Sequence, residues 1–319
     1  MCNTTKHVRR WFLFACCFFL FLTGCSAPAD TPSADTPSAD TEDRPLRDNA
    51  SRILVPQAAG DVVFEDERVA IDASRANDGY IMVMYLGDHD KVKLQISPPS
   101  DNASPYTYLL DDFGNYSVYP LTGGSGTYTI TVNEQVEGDM YAVIFSQDID
   151  VTISDDFLPF LYPNVYVDFT AKCEAVQLGS TLAKGCYSDL EVISKIYQYV
   201  ITNITYDTEK ARTVEYGYIP NINDTLTTKK GICFDYAALM SAILRSQQIP
   251  TKLEVGFAGE VYHAWISCYV DEIGWVDNII EFDGKTWTFM DPTFAANSDS
   301  SKTATFIGDG ENYQVKFSY

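Results

Sequence analysis

Two hydrophobic periods that no single regular element can satisfy divide this 319-residue chain near Asp155. Before that point the apolar residues alternate, as in Val92-Lys93-Leu94-Gln95-Ile96, Tyr128-Thr129-Ile130-Thr131-Val132 and Tyr141-Ala142-Val143-Ile144-Phe145, which is the period of a half-buried strand. Pro98-Pro99, Gly123-Gly124 and Glu137-Gly138-Asp139 separate the runs at the close intervals of hairpin turns. Beyond Asp155, Leu190, Ile193, Ile196, Tyr197 and Val200 recur at three and four, behind a Ser188-x-x-Glu191 capping box, and predict a helix ending near Asn203. An all-β sandwich over residues 51–155 followed by an α+β domain over residues 156–319 is therefore expected.

The first 50 residues have a different character. Lys6, Arg9 and Arg10 precede the apolar run Trp11 to Leu22, which is short for a membrane span and right for a signal peptide. Leu22-Thr23-Gly24-Cys25 resembles a bacterial lipobox, which implies removal of residues 1–24 and acylation of Cys25. Residues 25–50, with Ala-Asp-Thr-Pro-Ser repeated, lack the apolar material to offset their ordering entropy and are expected to be a solvated tether. The expected location is the outer, extracytoplasmic face of the cell membrane, held through the lipid anchor. Residues 1–24 carry three basic and no acidic side chains, so processing would take the formal charge from −22 to −25. That surface argues against nucleic acid as a partner.

In Lys229-Lys230-Gly231-Ile232-Cys233-Phe234-Asp235-Tyr236, the apolar positions that follow Ile232 have helical spacing, so Cys233 falls in a first helical turn. The unpaired N–H groups and dipole of a helix start favour an anion, so the sequence predicts a thiol of lowered pKa. Between Asn203 and this helix the chain reads as a long irregular loop. After it, Leu253 to Phe257 and Tyr262 to Val270 alternate as strands. In the second, His263, Trp265, Ser267 and Tyr269 share one face, and Ala264, Ile266 and Cys268 the other. Phe282-Asp283-Gly284-Lys285 reads as a hairpin turn leading into Thr286 to Asp291.

The chain has three histidines. His7 lies in the signal segment and His89 in the polar Gly87-Asp88-His89-Asp90 turn, where a lone D-x-D is weak evidence for a metal. Any imidazole partner for Cys233 within its own domain is therefore His263. A thiol nucleophile needs a base, and the base needs an orienting group, for which Asp291 is placed at a strand end.

Gly231-Ile232-Cys233 opening a helix, His263-Ala264-Trp265 on a strand and Asp291-Pro292-Thr293 after a later strand resemble the three signatures of the transglutaminase-like superfamily. The similarity runs from about Tyr187 to Phe294. It implies a papain-related α+β fold in which Cys233 is the nucleophile, His263 the general base and acid and Asp291 the orienter. The Cys233 backbone N–H would form half of an oxyanion hole, and Tyr206 is a candidate for the other half, set against its reading as a packed aromatic. Gln248 departs from the pattern, because the family often has Gly at this helix exit. No cofactor or metal is implied.

In an exported protein Cys173 and Cys186 are free to pair across a short loop, one of three pairings open to four thiols. The activity expected is acyl transfer through a thioester on a protein or peptide substrate, such as a cell-wall or surface protein, with hydrolysis favoured over crosslinking. The alternative is a non-catalytic binding or adhesion protein on the same fold. For His263 to meet Asp291, the two strands that carry them are expected to be antiparallel neighbours, with 265 opposite 289 and 267 opposite 287.

Overall fold

The computed structural model describes residues 45–100, 103–271, 273–277 and 313–319, together with the backbone of 280–282 and 287–289. The described residues belong to one compact unit, Arg44–Tyr319, and residues 1–43 lie outside them. Among the described residues no helix is long and apolar enough to cross a membrane.

Eight strands open the second unit: β1 (Val63–Glu65), β2 (Val69–Asp72), β3 (Tyr80–Tyr85), β4 (Val92–Ser97), β5 (Tyr106–Leu110), β6 (Ser117–Pro120), β7 (Gly126–Glu137) and β8 (Met140–Val151). They form two four-stranded antiparallel sheets, in the orders β1-β2-β3-β6 and β5-β4-β7-β8. Val92, Leu94 and Ile96 of β4 and Tyr128, Ile130 and Val132 of β7 are buried, as their alternation predicts. Strand β8 alternates just as clearly, yet Val143 is 61% exposed. It is the edge of its sheet, and the β7–β8 pairing shifts register between Val132 and Asn133, so the outer part of the hairpin leaves the core.

The α+β part follows as α1 (Glu174–Ala183), α2 (Asp189–Asn203), β9 (Thr205–Tyr206), α3 (Thr208–Thr213), α4 (Ile222–Thr228), β10 (Lys230–Gly231), α5 (Cys233–Ser246), β11 (Thr251–Ala258), β12 (Val261–Val270), β13 (Gly274–Val276), β14 (Ile280–Phe282), β15 (Trp287–Phe289) and β16 (Tyr313–Ser318). Ser188 caps α2 by accepting the Glu191 N–H at 3.3 Å. The stretch read as a long loop holds two short helices, because Asp207 accepts the Lys210 N–H at 2.9 Å and Asn221 accepts the N–H groups of Asn223 and Asp224 at 3.1 Å. Every residue of α5 from Asp235 to Ser246 is buried, so this helix is central rather than one-faced. It packs against α1, α2, α4, β11 and β12. Near its end, Arg245 is fully buried and donates to the carbonyls of Thr251, Tyr162 and Tyr319 at 2.7–3.0 Å, tying β11 and the final strand to the helix.

The main sheet of this part runs β13-β12-β11-β16, all antiparallel. Strands β14 and β15 pair antiparallel, Phe282 opposite Trp287, and the turn expected between them lies outside the described residues. Among the described residues β15 pairs only with β14, so 265 opposite 289 and 267 opposite 287 are not found; 263 opposite 291 lies outside the described residues.

Two further expectations are corrected. Cys173 and Cys186 are free thiols at opposite ends of α1. A ten-residue helix is about 15 Å long, and a disulfide needs Cα atoms within about 7 Å. The tether does not run to Ala50: Arg47 binds Asp189 and the carbonyl of Gln247, both at 2.5 Å, and the Arg52 N–H donates to Ser246 at 3.0 Å. Residues 47–52 thus strap the ends of α2 and α5 before the chain enters the sandwich.

Aromatic rings join the two parts. Tyr108 of β5 stacks on Tyr166 at 5.5 Å, and Tyr166 lies 4.7 Å from Tyr319 and 5.2 Å from Phe234, the neighbour of Cys233.

Candidate active site

Ile232 has extended backbone (φ −99°, ψ 177°) and Cys233 is the first residue of α5, as its spacing predicts. Asp235, two residues on, is wholly buried and takes the Ile232 N–H at 2.8 Å, which satisfies one donor of the helix start. The same carboxylate takes Lys210 Nζ at 2.7 Å and the Tyr218 hydroxyl. The catalytic-type reading of the sequence missed this trio; an acid three residues after the cap position was its only local signal. Gly231 is required here, since a Cβ would fall 2.7 Å from Asp235 Cβ.

Cys233 is half-buried, and burial pushes its thiol up rather than down. The backbone N–H groups of Ala264 and Phe234 pull it back, while the Asp235 charge pushes it further up. The helix start therefore offers its donors as expected, but desolvation and a like charge outweigh them. The contact with Ala264 sets the sulfur against the residue that follows His263. Cys233, His263 and Tyr206 all line one cleft of about 720 Å³, a volume ordinary for a ligand site.

His263 is buried and lies opposite Gly256 of β11. A Cβ at Gly256 would fall 2.0 Å from the Gln314 carbonyl of β16, so glycine lets three strands close up behind the histidine. Trp265 stacks near His263, ring centroids 6.4 Å apart and planes at 23°. Its indole Nε1 donates to Glu254 Oε2 at 2.8 Å, and Ser267 Oγ donates to the same oxygen at 2.6 Å. His263, Trp265 and Ser267 thus share a face, and Glu254, which sequence reading did not single out, fixes that row from β11.

Tyr206 lies beside Cys233 in β9, with the Cys233 backbone N–H against its hydroxyl. Burial first, then the Cys233 charge, hold that hydroxyl protonated, up at about 12. Asp291 and Cys25 lie outside the described residues, and among those described no group of three His, Cys, Asp or Glu side chains has a metal-holding arrangement.

Residues 176–278 match the transglutaminase-like superfamily. A transglutaminase-like domain thus lies within the α+β part, over residues 176–278. A UPF0252 protein of Methanocaldococcus jannaschii is 34% identical over 91 residues, a quarter of this chain and 26% of that protein. Among solved structures, a candidate cysteine protease of Cytophaga hutchinsonii is 16% identical over 62% of this chain and 77% of its own, with a TM-score of 0.33. A candidate protease of Parabacteroides distasonis is likewise 16% identical, over 46% of this chain and 36% of its own, with a TM-score of 0.28. The transglutaminase-like match takes in Cys233 and His263 and stops before Asp291.

Proposed function

We propose that this protein is a surface-anchored cysteine enzyme, lipid-linked through Cys25, that acts on peptide or amide bonds. The reading is carried by the position of the Cys233 sulfur, at the first turn of a buried helix, against the backbone beside His263 and open to a cleft. In the first step His263 takes the thiol proton as sulfur bonds to the carbonyl carbon, and the Cys233 N–H and Tyr206 hydroxyl stabilise the oxyanion. His263 then returns the proton to the leaving amine as the C–N bond breaks, which leaves a thioester. Water, deprotonated by His263, attacks the thioester carbonyl and frees the acid and the thiol. Asp291 orients the imidazole. Hydrolysis is favoured over transfer to an amine, since a site facing bulk water must exclude water actively to crosslink.

The test is alkylation of the purified mature chain with iodoacetamide near neutral pH, with peptide mapping. Labelling is expected at Cys233 in preference to Cys173, Cys186 and Cys268, and lost in His263→Ala. An inert Cys233 would instead support a binding protein on the same fold. For the anchor, Cys25→Ser is expected to abolish incorporation of labelled lipid; normal incorporation would remove that assignment.

A further inference from the structure

The cleft at Cys233 has a wall that the transglutaminase-like domain does not supply. Thr107 and Leu109 of β5, in the sandwich, line it together with Cys233. The segment between α3 and α4 roofs the same space and is held at two points. Gly217, at φ 87°, sits so close to the sandwich that a Cβ would fall 2.4 Å from Leu109 Cδ1. Its neighbour Tyr218 donates to Asp235 at the start of α5 and lies 2.6 Å from Lys210 Nζ. One side of the roof thus rests on the sandwich and the other on the helix that carries Cys233.

The lining has one chemical character. Among the described residues no lysine or arginine lines the cleft, and apart from Cys233, His263 and the tyrosines its one ionisable side chain is Glu215. The mouth is apolar and exposed: Tyr216 is 73%, Val261 64% and Tyr262 57% accessible. Clustered exposed apolar side chains around a concave site mark a surface that a partner covers. A carboxylate entering the cleft would meet the Glu215 charge, and among the described residues no lysine or arginine of the lining offsets it.

We infer that the sandwich is part of the substrate site, and that the cleft takes a polypeptide bearing an aromatic or large aliphatic side chain beside the reacting amide. That side chain packs between Leu109, Tyr216 and Tyr262. The inference rests on the proposal that Cys233 is the reacting group, but its test does not.

In the mature chain carrying Cys233→Ser, nothing turns over and binding alone is read. Fluorescence anisotropy with labelled, end-blocked peptide amides that differ at one position, Phe, Leu, Ala or Glu, measures the preference. Phe and Leu peptides are expected to bind at least about tenfold more tightly than the Ala peptide, with Glu weakest. Leu109→Ala and Tyr262→Ser, added separately, are expected to erase most of that difference; Tyr262, being more than half exposed, can be changed without opening the core. Equal binding of Phe and Ala peptides, no binding of any peptide, or a preference untouched by both substitutions would overturn the inference. A Phe preference above an unreactive Cys233 would uphold it while removing the catalytic proposal.

Discussion

Lys210 Nζ lies 2.7 Å from the Asp235 carboxylate, which is wholly buried two residues past Cys233. The pair joins α3, the Tyr218 hydroxyl and the N-terminus of α5 at one point, so a single acid holds both the helix that presents the sulfur and the roof of its cleft. Lys210 keeps about a third of its side chain in water, which limits its own desolvation cost.

Asp235→Ala leaves the Ile232 N–H and the Tyr218 hydroxyl without their acceptor. A loss of about 3 kcal/mol in urea denaturation is expected, the range for removing one partner of a buried charged pair. Asp235→Asn, which keeps one acceptor oxygen, is expected to lose less. The same pair of variants reports whether the roof is held here: proteolysis between Glu209 and Asn221 should be faster in Asp235→Ala than in the wild type.

The pH dependence of Cys233 alkylation has a defined sign. Burial and the Asp235 charge both raise the thiol, so in His263→Ala, with no base to take the proton, the rate should climb with pH and level off above the ordinary thiol value of about 8.5. Adding Asp235→Asn to that background removes the like charge and is expected to move the profile toward lower pH. A profile unmoved by Asp235→Asn would show that the charge does not reach the sulfur.

Much of this was legible in the sequence, and the exceptions share a cause. Val92 to Ile96 and Tyr128 to Val132 alternate because both faces of their strands differ in burial, and Asp189–Asn203 announces its cap and its period locally. Cys233 in a first turn and the shared face of His263, Trp265 and Ser267 follow from spacing alone. Whatever depends on which distant segments meet was out of reach. Tyr141 to Phe145 alternates yet is only partly covered, because it lies on an edge strand past a register shift in its pairing. Leu109 in the cleft, Arg47 on Asp189 and Lys210 on Asp235 join residues whose partners no local pattern names. The thiol's direction was misread for the same reason: the helix start is local, but its burial is tertiary.

Glu254 offers a second pH test. Burial raises its carboxyl, and the Ser267 hydroxyl, the Lys252 charge and the Trp265 indole only partly offset that. A carboxyl raised in the folded state contributes stability that is fully present below its unfolded value of about 4.3 and is lost as pH rises through the folded one. Glu254→Gln has no such charge to bury. The melting temperature of the wild type relative to Glu254→Gln should therefore be higher near pH 4 than at pH 7. A difference independent of pH would show that Glu254 is not raised.

The last prediction concerns Gln248, where the chain departs from the glycine common in transglutaminase-like domains. It has φ 60°, the left-handed conformation that ends many helices and that glycine adopts without a Cβ clash. Its side chain donates to the carbonyl of Arg52 at 2.6 Å, so the strained residue also grips the strap that crosses the end of α5. Gln248→Gly and Gln248→Ala both lose that bond, and only the first relieves the backbone. The glycine variant is therefore expected to be more stable than the alanine variant by about 1 kcal/mol, the cost of the left-handed region for an L-residue. Both should expose residues 47–52 to faster amide exchange. Equal stability of the two variants would mean that the helix exit relaxes out of the left-handed region once the side chain is shortened, and that the strap bond is what holds Gln248 there.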